Sequence, residues 1–305
     1  MDGTSGRDII RRWAGNPLIT PSDLSFQCSD ICNAGVTLFR DECLLLVTVE
    51  ALEGVCGLYV ARSKNGHQFW VADKPFMLRS RDERFAEAES YGVRDARITA
   101  ADGAYYIAYV AQSDSGFRVG LARTEDFVSV ERIGLLSQPD TKNGALFPAK
   151  VKGRHAILTR PEQGASIWIS YSDDLTYWGG SEVVLTPRGG FWDANKVGAA
   201  GPPIEIDEGW LLIYYGEKIT SCGPLYRLGA ALLDKEDPAR VISRSNIPIL
   251  TPREHYERIG DIGNLVFSCG AVLTEDRTLR LYYGGSDSCI CLGTAALADV
   301  LHVCI

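Results

Sequence analysis

The chain has 305 residues, of which 46% are hydrophobic and 23% are charged, and its formal net charge at pH 7 is −8. This composition is typical of a soluble globular protein with a full core, and the acidic balance argues against a nucleic-acid partner because a phosphate backbone would be repelled. No apolar run reaches signal-peptide or membrane-spanning length, so the sequence predicts no membrane association.

Five segments share one plan, in which a small residue is followed by an apolar strand, a polar turn and a second strand rich in Leu or Tyr. In chain order these predicted hairpins span 35–50, 96–109, 148–158, 203–215 and 270–283. A third predicted strand follows each hairpin, at 57–66, 119–127, 167–175, 228–234 and 290–295. The stretch 82–91 is the best candidate for a helix, inserted between the first and second units.

These three-strand units recur about every 50 to 70 residues, which is the spacing of propeller blades with insertions. A β-sandwich would also alternate in hydrophobicity, but it would not repeat whole three-strand units in this way. The sequence therefore predicts an all-β fold, a five-bladed β-propeller, with residues 1–305 forming a single domain.

A propeller arranges the innermost strand of every blade around one axis, so polar residues at the start of those strands converge on one pocket. Five polar residues occupy such positions: Asn33, Asp95, Asn143, Lys196 and Asn264. The start of each inner strand is consequently where we expect the chemistry of the protein.

Asp95 stands between Arg94 and Arg97, just before a predicted strand. Strand alternation places Asp95 and Arg97 on one face and Arg94 on the other. A nearby guanidinium lowers the pKa of a carboxyl group, so a general-acid role for Asp95 requires desolvation or a second carboxylate to oppose that effect. A turn carboxylate paired with an arginine is the alternative interpretation, and the residues leave both open.

A second group is cationic. Lys142 and Asn143 start the third unit, Arg160 ends the next strand of that unit, and Lys196 starts the fourth unit. A single surface lysine is ordinarily solvated, but three converging cations in an acidic protein cost free energy without an anion between them. A bound phosphate would supply that anion.

The sequence lacks the motifs of other common kinds of active site. The sequence has no Gly-x-Ser-x-Gly, Walker or His-Glu-x-x-His motif, and its four histidines lack metal-ligand spacing. The pair Cys289 and Cys291 has no second pair with zinc spacing, so no metal and no organic cofactor is expected. The nine cysteines are interpreted as buried free thiols of a reducing compartment, which predicts a cytoplasmic protein.

Taken together, these residues resemble glycoside hydrolase family 130, the β-mannoside phosphorylases and related mannosidases. The resemblance runs from Asn16 to Ala295, and its specific stretches are 91–99, 145–148, 160–161, 178–179, 209–214, 226–234 and 260–270. The family fold is a five-bladed propeller, in agreement with the count of repeats.

The resemblance implies a role for each candidate residue. Asp95 matches the general acid, which protonates the leaving oxygen through a sugar hydroxyl while phosphate attacks the anomeric carbon with inversion. Inorganic phosphate is then a co-substrate, and the implied phosphate-binding residues are Lys142, Asn143, Arg160, Lys196 and Tyr215. The implied sugar-binding residues are Asn33, Glu50, Arg97, Asp193 and Asp287. The partners are thus a small carbohydrate and phosphate, and a homo-oligomer is left open.

The chain also departs from the family pattern. Ala96 replaces a proline after the acid, Thr48 replaces an arginine, and Tyr215 replaces a histidine that faces phosphate in many members. Glu217, near Tyr215, could instead activate water. The first hypothesis is therefore a phosphorylase for short β-mannosides, with β-1,2-linked manno-oligosaccharides preferred. An inverting β-mannosidase using Asp95 and Glu217 is the second, and a non-catalytic glycan-binding propeller is the third.

Overall fold

The computed structural model describes residues 8–304, and most of the regular structure in them is β-strand. The strands form five antiparallel sheets, which we number as blades. After β1 (Arg11–Arg12), blade 1 holds β2 (Asp30–Phe39), β3 (Glu42–Glu50), β4 (Cys56–Ser63) and β5 (Trp70–Val71), and blade 2 holds β6 (Val93–Ala101), β7 (Ala104–Ser113), β8 (Gly116–Thr124) and β9 (Glu131–Leu135).

The remaining strands form three further blades. Blade 3 holds β10 (Thr141–Leu146), β11 (His155–Pro161), β12 (Ile167–Ser172) and β13 (Gly179–Leu185). Blade 4 holds β14 (Lys196–Ala199), β15 (Ile204–Ile206), β16 (Gly209–Thr220), β17 (Gly223–Leu233) and β18 (Val241–Arg244). Blade 5 holds β19 (Val266–Leu273), β20 (Thr278–Gly285) and β21 (Cys289–Ala296), and β1 pairs with β21 as its outer strand.

The blades close into a ring, because each blade contacts the next. From blade 1 to blade 4 the contacts are β2 with β6, β6 and β7 with β10, and β10 and β11 with β14. Blade 4 then contacts blade 5 through β17 and β19, and β19 contacts β2 of blade 1. The N-terminal strand β1 completes the last blade and so joins the two ends of the described chain. The predicted five-bladed propeller is confirmed.

The core lies between the blades. Five apolar clusters fill the five junctions between neighbouring sheets. Each sheet packs between two neighbouring sheets, so both of its faces are covered. For this reason β3 is buried continuously from Cys43 to Val49, without the alternation of buried and exposed residues seen in half-exposed strands. At Gly35 the inner strands of blades 1 and 2 approach so closely that an added Cβ would lie 2.4 Å from the carbonyl oxygen of Ala96.

Three details differ from the sequence prediction. The inner strand of blade 3 is β10 (Thr141–Leu146), whereas the predicted hairpin began at 148. Each blade has a fourth, outer strand, which the three-strand repeat did not predict. The helix expected over 82–91 is a single turn, α1 (Glu83–Ala86), capped by the Asp82 side chain. The other helices are a 3-10 turn (Pro21–Asp23), α2 (His255–Arg258) and α3 (Leu297–His302). None of the helices in residues 8–304 is long and apolar enough to cross a membrane.

Candidate active site

The inner strands of blades 1, 2 and 3 carry the same irregularity. The pairing register of β2, β6 and β10 shifts at Asn33, Asp95 and Asn143, and these residues have φ of 45°, 56° and 57°. Asn and Asp tolerate this left-handed conformation better than other side chains with a Cβ. Each bulge thereby presents a short polar side chain to the central cavity.

The central cavity has a volume of about 300 Å³. Two groups of polar residues line its wall. The acid cluster is Asn33, Arg94, Asp95 and Asp287, and the cation cluster is Lys142, Asn143, Arg160, Lys196 and Tyr215. Of the five strand-start residues expected to converge, Asn33, Asp95, Asn143 and Lys196 line this cavity.

In the acid cluster, one guanidinium forms ion pairs with two carboxylates. Arg94 lies 3.5 Å from Asp95 through Nε and 3.9 Å from Asp287 through Nη2. Asn33 donates a hydrogen bond of 2.9 Å from Nδ2 to Asp95 Oδ1, and Thr48 Oγ1 accepts one of 3.0 Å from the Asp95 backbone N–H. The aspartate is therefore fixed through both its side chain and its main chain.

The two carboxyl groups of the acid cluster titrate differently. Burial raises the pKa of Asp95, but the charges of Arg94 and Arg97 outweigh burial, so this pKa lies below its usual value. Burial raises the pKa of Asp287 to about 6, with Arg94 opposing the change and the charge of Asp95 adding to it. Asp95 is therefore the carboxyl group that loses its proton more readily, and Asp287 gains one more easily.

The acid cluster also holds unsatisfied acceptors. Asn33 Oδ1 and Asp287 Oδ1 are buried and have no hydrogen-bond partner within residues 8–304. A buried oxygen without a donor is costly, and the hydroxyl groups of a sugar are suitable donors.

In the cation cluster, Asn143 Oδ1 accepts hydrogen bonds from Arg160 Nε at 3.3 Å and from the Tyr215 hydroxyl at 3.0 Å. Lys196 Nζ lies 3.1 Å from Glu217 and 3.3 Å from Glu162. The basic groups are thus held in place by neighbouring polar side chains.

Lys142 differs from the other cations. Its Nζ lies 3.4 Å from the centre of the Phe117 ring, and no carboxylate in residues 8–304 comes within 4 Å of it. Burial lowers the pKa of Lys142 to about 8, with Asp95 opposing the change and Arg160 adding to it. A bound anion beside Lys142 would favour its charged form and so raise this pKa.

Several predicted residues do not line the cavity. Arg97 is buried beneath Asp95, where Nη1 donates 2.9 Å to the Asp95 carbonyl oxygen. Asp193 is buried in blade 4, 2.9 Å from Arg188 and 2.7 Å from Arg244. Three further side chains lie outside the cavity lining: Glu50, Glu217 and Asn264. Direct sugar contact by Glu50, Arg97 or Asp193 has no support in this arrangement.

Arg94 corrects a prediction from strand alternation. Alternation sends Arg94 to the opposite face from Asp95, yet both line the cavity, because the bulge between Arg94 and Arg97 inserts an extra residue. Glu162, Phe117 and Tyr226 also lie in the cavity wall, although none of them was predicted from the sequence. Glu162 follows the Arg160-Pro161 pair directly, and this was the available signal.

The chain is similar in sequence and structure to known mannoside phosphorylases. A family model described as β-1,4-mannooligosaccharide phosphorylase matches residues 33–305. The chain is 38% identical to a 1,2-β-oligomannan phosphorylase of Thermoanaerobacter sp., over 80% of this chain and 81% of that one. It is 36% identical to a β-1,2-mannobiose phosphorylase of Listeria innocua, over 96% and 98%. A solved structure of a β-1,2-mannobiose phosphorylase from Listeria innocua with β-1,2-mannobiose superposes with a TM-score of 0.87 at 31% identity, covering 96% of this chain and 98% of that one.

Proposed function

This chain belongs to glycoside hydrolase family 130, and from that premise we propose which of its residues carry out the phosphorolysis of β-mannosides. In this reaction the bond between the anomeric carbon and the glycosidic oxygen breaks, and a bond between that carbon and a phosphate oxygen forms. A proton passes to the leaving oxygen, and the products are α-mannose 1-phosphate and a shortened sugar.

The observation that carries the assignment is the meeting of Asp95 with three basic residues in one cavity. Lys142, Arg160 and Lys196 supply the charge that a phosphate dianion requires, and Asn143 and Tyr215 fix the geometry of this group. Phosphate is itself a nucleophile, so the reaction needs one carboxylic acid and no second carboxylate to activate water.

The proton on Asp95 follows from the same charges. Arg94 and Arg97 keep the pKa of Asp95 low, and a low pKa is unsuitable for an acid at neutral pH. A phosphate held by Lys142 neutralises a cation that favours the Asp95 anion, and it adds negative charge nearby. Phosphate binding therefore raises the pKa of Asp95 and prepares it to donate a proton to the leaving oxygen.

Hydrolysis is less well supported. Glu217 was the candidate base, but its side chain lies outside the cavity lining and pairs with Lys196 at 3.1 Å. A carboxylate that is paired with a half-buried lysine is poorly placed to take a proton from water.

For the substrate we propose β-1,2-linked manno-oligosaccharides. The two relatives described above, both at least 36% identical, are named for β-1,2-linked substrates. The unpartnered oxygens of Asn33 and Asp287 are suited to accept hydrogen bonds from the hydroxyls of the mannosyl unit. A reducing, cytoplasmic location is proposed from the nine cysteines, six of which are buried as free thiols.

Product analysis tests this function. Purified protein is incubated with β-1,2-mannobiose with and without inorganic phosphate, and mannose 1-phosphate and free mannose are quantified. We expect mannose 1-phosphate only when phosphate is present, and its loss in Lys196→Ala. The matched control is Lys152→Ala, which removes an exposed lysine paired with Asp237 and should retain activity. Free mannose formed at equal rates without phosphate would contradict phosphorolysis.

A further inference from the structure

We propose that Glu162 is a resident counter-anion of the phosphate site, which inorganic phosphate displaces when it binds, so that Glu162 sets the affinity for phosphate. This inference rests on the proposed function, since it concerns the same cation cluster.

Glu162 occupies a place suited to an anion. Its Oε2 accepts a hydrogen bond from Arg160 Nη1, and its Oε1 accepts one from Lys196 Nζ at 3.3 Å. One carboxylate therefore spans two of the three cations proposed to bind phosphate. Phosphate cannot take its full set of hydrogen bonds from Arg160 and Lys196 while this carboxylate remains there.

The two cations are held without Glu162. Arg160 Nε donates to Asn143 Oδ1, and Lys196 Nζ lies 3.1 Å from Glu217, whose side chain is only 4% exposed. Removing the charge of Glu162 therefore leaves both basic groups anchored. This argues against a purely positioning role, in which Glu162 would be needed to aim them.

Glu162 is also free to leave. Its side chain is 50% exposed, so it is already partly hydrated and loses only a partly screened ion pair when it moves into water. Its backbone N–H donates 2.7 Å to the Asp140 carbonyl oxygen, which keeps the main chain in place while the side chain rotates. A groove of about 700 Å³ adjoins the cavity at Glu162 and Asp140, and no lysine or arginine lines it.

The test is Glu162→Gln, which keeps the shape of the side chain and removes its charge. The phosphate KM is measured with β-1,2-mannobiose, and the Kd for inorganic phosphate is measured by titration calorimetry without sugar. We expect both constants to fall about fivefold, with the mannobiose KM unchanged, because a competing partly exposed ion pair is lost. In Glu162→Asp the shorter side chain cannot reach both cations. Its phosphate KM and Kd should therefore lie between the values for the wild type and for Glu162→Gln.

The control is Asp140→Asn, which removes one negative charge near the cavity without breaking any ion pair described in residues 8–304. We expect the phosphate Kd of this variant to change less than twofold. That result would show that the effect of Glu162→Gln comes from losing a displaceable counter-anion and not from removing any negative charge near the cavity. An unchanged or increased Kd for phosphate in Glu162→Gln would overturn the inference. The wild-type protein distinguishes failure of this proposal from failure of the proposed function. If the wild type forms mannose 1-phosphate but Glu162→Gln binds phosphate no more tightly than the wild type, only the role of Glu162 is wrong.

Discussion

Asp95 and Asn143 occupy equivalent bulges in neighbouring blades, yet the groups around them are opposite in character. Around Asp95, a single arginine is shared by two carboxylates, and two buried oxygens lack donors. Around Asn143, three cations converge and Lys142 has no carboxylate partner within residues 8–304. The backbone is the same in both places, so the difference arises from the side chains that flank each bulge.

This comparison shows which ligand each side of the cavity requires. The acid cluster is short of hydrogen-bond donors, which the hydroxyl groups of a sugar provide. The cation cluster is short of negative charge, because its three cations face two carboxylates, Glu162 and Glu217, and Glu162 is half exposed. Substitutions in one cluster should therefore change one substrate and spare the other.

The largest effect is expected from Asp95→Asn. Removing the proton donor should lower kcat by about 1,000-fold, within the usual range for loss of general-acid catalysis. The Kd for phosphate should not rise, since the cation cluster remains intact. Steady-state kinetics and phosphate titration check both points, and thermal unfolding serves as the control for folding. A variant that keeps more than a tenth of its kcat would remove Asp95 from the role of acid.

The next largest effect is expected from Arg160→Lys. The charge is retained, but the bond from Nε to Asn143 and the planar pair of donors are lost, so the phosphate KM should rise about thirtyfold. Mannobiose binding, measured by calorimetry without phosphate, should change less than twofold. Equal losses for both substrates would mean that the two clusters do not act separately.

Asp287→Asn probes the sugar side with a smaller expected effect. Loss of a charged acceptor for a sugar hydroxyl should raise the mannobiose KM about tenfold. The phosphate KM should remain within twofold of the wild-type value, and both are obtained from the same initial-rate data. A rise confined to the phosphate KM would show that Asp287 acts in phosphate binding and not in sugar binding.

Most of the fold was predictable from the sequence, because each blade repeats an apolar hairpin and a third strand. The outer strands were not predicted, and those of blades 1 and 5 have only two residues each, too few to show a period. The helix was overestimated because Asp82 gives a genuine capping signal but only one turn follows it.

The candidate site was predictable where a residue occupies a bulge, as Asn33, Asp95 and Asn143 do. Arg94 was assigned to the wrong face because a bulge breaks the period of two on which strand alternation depends. Asp193 lies near Lys196 in the chain, yet it turns inward to Arg188 and Arg244. Which side chain turns inward depends on partners distant in sequence, and a single sequence does not reveal them.

The smallest expected effect is a pH dependence confined to the cation cluster. Burial lowers the pKa of Lys142 to about 8, so its charge is present below that pH and is lost as the pH rises through it. Phosphate affinity should therefore decline about fivefold between pH 7 and 9, since Arg160 remains charged and retains part of the binding. Measuring the phosphate Kd across this range checks the decline, and Lys142→Arg should abolish it because the guanidinium stays charged throughout. If the arginine variant shows the same decline, the titrating group is not Lys142. The mannobiose Kd measured without phosphate should stay level over this range, because neither carboxylate of the acid cluster has a pKa above about 6.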